Sequence, residues 1–342
     1  MRKFSSSVLA AALAFLVPQM VQAAELYVTP YSSGPIQVLD SSNGSVLNSN
    51  FTGGNVGGMT DVTFDSNANV YVAAYSANKV NRYSPAGAQL VPFQLSAPAS
   101  PISVEFGPLD GALYVGSASQ STAFGNGLTR FADPSVNAST PVANVTDASA
   151  ADMAFGPITT HLSQTVQPIY WTTYTGGSPN LGTVRMAYLN ASGTVVGSES
   201  DFVSAASLNM NNPAGMAIDR ARNFLYVGDY PSGNINRYDL TTATGGQFFA
   251  GSGSPWNKGI TGMAVDSAGS LYVSSYYSQS VTKLNTGGNT GVVDTAFGDN
   301  GTVSFAYQIY GIGILEVPEP GSLALLGFGT MGLAFFRRPR GR

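Results

Sequence analysis

Residues 215–238 read GMAIDRARNFLYVGDYPSGNINRY, and the number of times the chain repeats this pattern decides the fold. Three short apolar segments stand in the stretch, Gly215–Asp219, Leu225–Val227 and Asn234–Tyr238, with turn residues between them. Alternating apolar residues bounded by turns predict β-hairpins. "LYV" recurs at Leu26–Val28, Leu113–Val115 and Leu271–Val273, with variants at Val70-Tyr71-Val72 and Ile169-Tyr170-Trp171. The segment before it recurs as Asp61–Asp65, Ser103–Gly107, Asp152–Gly156 and Gly262–Asp266. The segment after it recurs as Lys79–Tyr83, Gly127–Phe131, Thr183–Met186 and Ser280–Leu284, and a weaker fourth strand follows, as at Gln89–Phe93.

Four short strands per repeat make one propeller blade. Taking Val62, Val104, Met153, Met216, Met263 and Ile312 as markers, the spacings are 42, 49, 63, 47 and 49 residues, the long one reflecting insertions around Pro157–Pro168 and Gly176–Pro179. The first "LYV" has no partner before it. Its partner stands at the other end, Gly311-Ile312-Gly313-Ile314-Leu315. The expected fold is therefore an all-β, six-bladed β-propeller with three-plus-one strand closure. The last strand completes a blade whose other three strands fall at 26–30, 35–39 and 45–51. A blade is flanked on both sides, so its inner strands need large residues on one face (Val62, Phe64, Met216, Ile218) and small ones where they crowd (Ala154, Ala217, Ala264, Gly313).

The ends are addresses. Met1-Arg2-Lys3, an apolar run from Val8 to Val17 and Val21-Gln22-Ala23 form a secretory signal peptide over 1–23, with cleavage between Ala23 and Ala24. At the other end stand Val317-Pro318-Glu319-Pro320-Gly321, an apolar stretch over 322–336, and a basic tail that includes Arg337 and Arg338. The stretch Leu323–Phe336 would be about 21 Å long as a helix, short for a hydrocarbon core of about 30 Å. The arginines favour the cytoplasmic side. The chain thus divides into a leader, a propeller body over 24–316 and a tail over 317–342 that holds a short hydrophobic transmembrane helix over 322–336 before its basic end.

The tail resembles the PEP-CTERM sorting signal: Pro318-Glu319-Pro320, a glycine-bearing apolar helix and an arginine cluster, in that order. The resemblance implies recognition by an exosortase, a membrane protease-transpeptidase of Gram-negative bacteria that make exopolysaccharide and biofilm. It implies transient anchoring in the inner membrane, then release or attachment at the cell surface. The body, through Gly-Met-Ala-Ile-Asp, Leu-Tyr-Val-Gly-Asp and Asn-Ile-Asn-Arg-Tyr, resembles NHL and SMP-30/gluconolactonase-like propellers.

Composition narrows the chemistry. With no cysteine and one histidine, His161, which reads as a loop residue, there are no disulfides, no thiolate sites and no multi-histidine metal centre. Over 25–316, nine basic residues face eighteen acidic ones, a net charge of −9 that argues against nucleic acid. No Walker-type loop, dinucleotide fingerprint or Gly-x-Ser-x-Gly is present. Asp61 and Asp152 start inner strands, and Glu105 replaces the alanine of other blades, so the three face the channel. With Asp229, they are the candidate ligand or metal residues. Carboxylate oxygens suit a divalent cation such as calcium. The plainer reading is that they cap turns or accept backbone N–H bonds. Asp65-Ser66-Asn67-Ala68-Asn69 opens like a calcium loop but lacks the glycine at the sixth place and fits a hairpin turn. Arg82, Arg130 and Arg237 share a repeat position, either as a basic ring for anionic sugar or as partners of the recurrent aspartates.

The expected function is a cell-surface or matrix propeller that binds polysaccharide or protein without catalysis. The alternative is a metal-dependent hydrolase or lactonase at the channel, although the family's metal ligands find no matching motifs here. Replacing Pro318-Glu319-Pro320 by alanines is expected to leave the full-length chain in the inner membrane. Immunoblots of membrane fractions read this, and unchanged processing defeats the sorting assignment.

Overall fold

The computed structural model describes residues 24–95, 100–117, 127–133, 140–141, 150–173, 182–252 and 258–316. The expected leader through Ala23, Pro318–Pro320, the helix at 322–336, Arg337 and Arg338 lie outside them.

The described residues form six antiparallel sheets. The first holds β1 (Glu25–Pro30), β2 (Gln37–Asp40) and β3 (Val46–Asn48); the second β4 (Met59–Phe64), β5 (Val70–Ala74), β6 (Lys79–Tyr83) and β7 (Gln89–Gln94). The third holds β8 (Pro101–Phe106), β9 (Leu113–Ser117), β10 (Leu128–Phe131) and β11 (Thr140–Pro141). The fourth runs β12 (Met153–Phe155), then β14 (Gln164–Thr173), β15 (Thr183–Leu189) and β16 (Ser200–Val203), with a side strand β13 (Thr159–His161) on β14. The fifth holds β17 (Pro213–Asp219), β18 (Phe224–Asp229), β19 (Ile235–Asp239) and β20 (Gly245–Phe249). The sixth holds β21 (Ile260–Val265), β22 (Leu271–Ser275), β23 (Ser280–Asn285) and β24 (Val292–Val293), with β25 (Thr302–Ser304) also on β23. The last strand, β26 (Ile309–Leu315), returns to β1 and becomes the innermost strand of the first blade.

The clasp has defined register. Leu26 faces Ile314, Tyr27 faces Gly313 and Val28 faces Ile312. Gly311 N–H donates to Thr29 Oγ1 at 2.9 Å, and the Thr29 hydroxyl donates back to the Gly311 carbonyl at 3.1 Å. Each of β26, β4, β8, β12, β17 and β21 packs against the inner strands of the two blades beside it, so the ring is closed. Every blade is completed within Ala24–Leu315, which is one compact unit.

The recurrent "LYV" is explained by burial. Leu225, Tyr226 and Val227 are fully enclosed, as are Leu26, Leu113 and Leu271. Each large apolar side chain contributes roughly 1.5–3 kcal/mol. In three blades the tyrosine lies between blades with its ring edge-on to the phenylalanine that ends the next inner strand. Tyr27 meets Phe64 at 4.9 Å, Tyr71 meets Phe106 at 5.0 Å and Tyr114 meets Phe155 at 5.0 Å between centroids. The hydroxyls of Tyr27, Tyr71, Tyr114 and Tyr272 each find a carboxylate, as Tyr114 does on Asp110 (2.9 Å) and Tyr272 on Asp266 (3.0 Å). Asp65 accepts N–H bonds from Asn67 and Asn69, both at 2.9 Å, which makes Asp65–Asn69 a hairpin turn. His161 differs from expectation. It sits on β13 rather than in a loop, stacked on Tyr188 at 4.1 Å, because Leu162 and Ser163 both take positive φ and reverse the chain into a hairpin.

Inner strands crowd most closely at glycine. A Cβ on Gly311 would lie 2.5 Å from the Thr60 carbonyl oxygen and 2.6 Å from Asp61 Cα, both backbone of the next blade. Gly246 has nothing within 4 Å of such an atom. Gly311→Ala should therefore destabilise the body by about 1–3 kcal/mol, whereas Gly246→Ala should stay within about 0.5 kcal/mol of the parent. Urea unfolding of residues 24–316 reads both.

Candidate functional site

In five blades the inner strand carries an extra residue at one place; in the first, two residues of β26 between Ile309 and Ile312 stand against one of β1 between Val28 and Pro30. Register with the second strand shifts across Thr60, Ile102, Ala214 and Thr261. A β-bulge bends the strand and re-aims a side chain. Thr60, Ile102 and Ala214, together with Ala151 and Tyr310 from the equivalent position in their blades, line a cavity of about 360 Å³ at this end of the channel.

Above them stands a set of tyrosines that the sequence reading did not single out. The residues next after β1, β5, β18 and β22 are Tyr31, Tyr75, Tyr230 and Tyr276, each the sixth letter counted from the start of "LYV" or its variant. The structure gives all four the same anchor. The N–H of Tyr31, Tyr75, Tyr230 and Tyr276 donates to the carbonyl of Gln308, Gly58, Asn212 and Gly259, at 2.8, 2.8, 2.9 and 2.8 Å. Their side chains are half-buried and line the cavity with Tyr310. Tyr31 and Tyr310 lie nearly parallel (5.3 Å, 28°), while Tyr276 stands edge-on to both, at 76° and 77°. Burial and the neighbouring phenols push the hydroxyls of Tyr31, Tyr230 and Tyr310 above their ordinary pKa, so they remain neutral donors. The repeat carried this signal in full; the reading stopped at its third letter.

Of the predicted carboxylates, Asp61 and Asp152 lie one residue beyond lining residues Thr60 and Ala151, and Glu105 three beyond Ile102. Asp61 accepts the N–H of Val62 at 2.8 Å and, across the gap between blades, that of Val104 at 2.8 Å. Asp152 does the same two blades on, accepting from Met153 (2.8 Å) and Met216 (2.6 Å). Both therefore tie one inner strand to the next. Glu105 accepts from the Thr63 hydroxyl at 3.2 Å, again between blades. Burial raises all three carboxyls above the usual range. Repulsion from Glu105 adds to this at both aspartates, and from Asp61 at Asp152, while their N–H bonds oppose it; at Glu105 the Arg220 charge and the Thr63 hydroxyl oppose it.

Asp229 is placed differently, at the end of β18. It accepts from the N–H of Asn212 (3.0 Å) and from the Ser232 hydroxyl (2.5 Å), and so holds the loops that present Asn212 and Tyr230 to the cavity. A calcium ion requires six or more oxygens directed at one point. Asp61 and Asp152 have both oxygens turned to backbone donors, and among the described residues no group of three or more His, Cys, Asp or Glu could hold a metal ion.

The arginine position is not a basic ring. Arg130 pairs with Asp110 in its own blade at 2.8 Å, Arg82 lies over the Tyr71 ring, and Arg237 lies over Phe224 and reaches the Gly288 carbonyl of the next blade.

Two solved structures share this architecture. A chain of a nidogen/laminin complex is 13% identical, with a TM-score of 0.59 over 86% of this chain and 99% of that one. A gluconolactonase from Xanthomonas campestris is also 13% identical, with a TM-score of 0.55 over 88% and 85%. No curated protein sequence matches the chain. At this identity the likeness defines the class alone: a six-bladed β-propeller whose fold neighbours include the SMP-30/gluconolactonase and NHL types. Residues 316–338 match the PEP-CTERM protein-sorting motif. The chain is thus a propeller carrying a PEP-CTERM tail, and the motif implies exosortase processing, export, and anchoring by the C-terminus before surface display.

Carboxyls whose folded-state pKa is raised stabilise the fold below their unfolded value, about 4, and that contribution is lost as pH rises through the folded value. Asp152→Ala leaves two inner-strand N–H groups without their acceptor and should cost about 1–3 kcal/mol at pH 7. The gap between parent and variant should widen as pH falls from 7 towards 5. Urea unfolding at both values is the check, and a gap that narrows contradicts the assignment.

Proposed function

We propose that the chain is an exported surface or matrix protein that binds a ligand, without catalysis, at the tyrosine-lined mouth of its propeller. In this reading residues 1–23 are removed on export through the inner membrane of a Gram-negative cell. The body over 24–316 is displayed, and the tail over 317–342 serves an exosortase. The ligand is a polysaccharide or a surface protein, in keeping with an exopolysaccharide-rich biofilm.

The observation that carries this reading is the mouth itself. It has aromatic rings at a repeated, hydrogen-bonded position and, among the described residues that line it, no ionisable acid or base other than phenols. Catalysis at the channel would need a carboxylate free to move a proton or ligate a metal, and Asp61 and Asp152 serve backbone donors instead. Titration calorimetry of the body with calcium or zinc should give no saturable heat. One tight site abolished by Asp152→Ala would replace this reading with the metal-dependent hydrolase or lactonase.

A further inference from the structure

We infer that the mouth takes the uncharged end of a glycan, with a neutral pyranose ring seated against Tyr31, Tyr276 and Tyr310. This rests on the reading of the mouth as a ligand site and names the chemistry of what enters it.

A pyranose has two kinds of surface. Its axial C–H groups form a flat apolar face, and its equatorial hydroxyls form a polar rim at right angles to that face. The cavity offers the complement. Tyr31 and Tyr310 are nearly coplanar in orientation and Tyr276 is roughly perpendicular to both. Tyrosine presents an apolar ring and a polar tip together. A sugar stacked on one ring plane therefore meets phenol hydroxyls from the other at its rim. The Asn212 amide, on the same lining, adds a donor and an acceptor.

Size sets the extent. At about 360 Å³ the cavity is near the small end of ligand pockets, roughly 300–1,000 Å³. It is a place for one or two rings and so for a chain end.

Charge sets the class. Among the described residues neither Lys, Arg, Asp nor Glu lines the cavity, and the three arginines of the repeat are engaged with Asp110, Tyr71, Phe224 and the Gly288 carbonyl. A uronic-acid polymer would have no cation to meet and would approach a body of net charge −9. A cationic amino sugar would find tyrosine faces, but Asp61 and Asp152, one residue beyond the lining, already accept two N–H bonds each.

The test is calorimetry of residues 24–316 against three panels of short oligosaccharides: neutral hexoses, uronic acids and glucosamines. Saturation-transfer NMR from the tyrosine ring protons accompanies it. A neutral oligosaccharide should bind with little dependence on salt, and its C–H face should receive saturation. Tyr276→Ala should weaken it by about tenfold while the melting temperature is retained. Tyr31→Phe, which keeps the ring, should lose less than Tyr31→Ala. Binding confined to uronic acids or glucosamines overturns the inference but leaves a ligand site at the mouth if Tyr276→Ala abolishes it. Failure of all three panels, with a surface polypeptide captured in a Tyr276-dependent way, overturns the sugar and keeps the mouth. Binding indifferent to every tyrosine variant overturns both.

Discussion

The pairing of β26 with β1 is the contact on which the rest depends. A propeller blade cannot bury its faces alone, so each sheet is stable only between two others. With the Thr29–Gly311 exchange in place, the first blade has its innermost strand and the sixth has a neighbour. The narrow channel follows from the same circle. Six inner strands converge, and each must either shrink at the contact, as Gly311 and Gly262 do, or bridge it, as Asp61 and Asp152 do with carboxylates aimed at the next backbone. These are two solutions to one steric problem at one repeat position.

That equivalence accounts for what was readable beforehand. The blade number, the three-plus-one closure and the between-blade tyrosines follow from apolar periodicity, since Leu-Tyr-Val and Gly-Met-Ala-Ile mark positions enclosed on both faces. The carboxylates were legible as channel residues, because Glu105 breaks a run of alanines. Their partners were not, since Val104 and Met216 lie 43 and 64 residues away from the aspartates they serve. Such bonds exist only once the ring has set the spacing between strands. The mouth escaped for another reason. Tyr31, Tyr75, Tyr230 and Tyr276 stand past the end of each apolar run, where a core-seeking reading loses interest, yet function concentrates beyond strand ends.

Bulges link the scaffold to the site. An extra residue at Thr60, Ile102 and Ala214 interrupts regular pairing at one end of the inner strands. The opposite ends stay regular and fully paired through Phe64, Phe106 and Asp219. One end of the channel is thereby opened and furnished while the other is held by packing. A rigid frame with its irregularity confined to one rim suits recognition, because the groups that meet a ligand are positioned before it arrives.

The direction of β26 has a consequence for display. The strand enters beside Tyr310, within the cavity lining, and leaves at Leu315, paired with Glu25 at the far end of the same sheet. The sorting motif begins at the very next residue, 316. The ring's last residue, Leu315, thus stands at the end of β26 away from Tyr310. A load applied at that end of the body is felt first by the strand that keeps the circle shut.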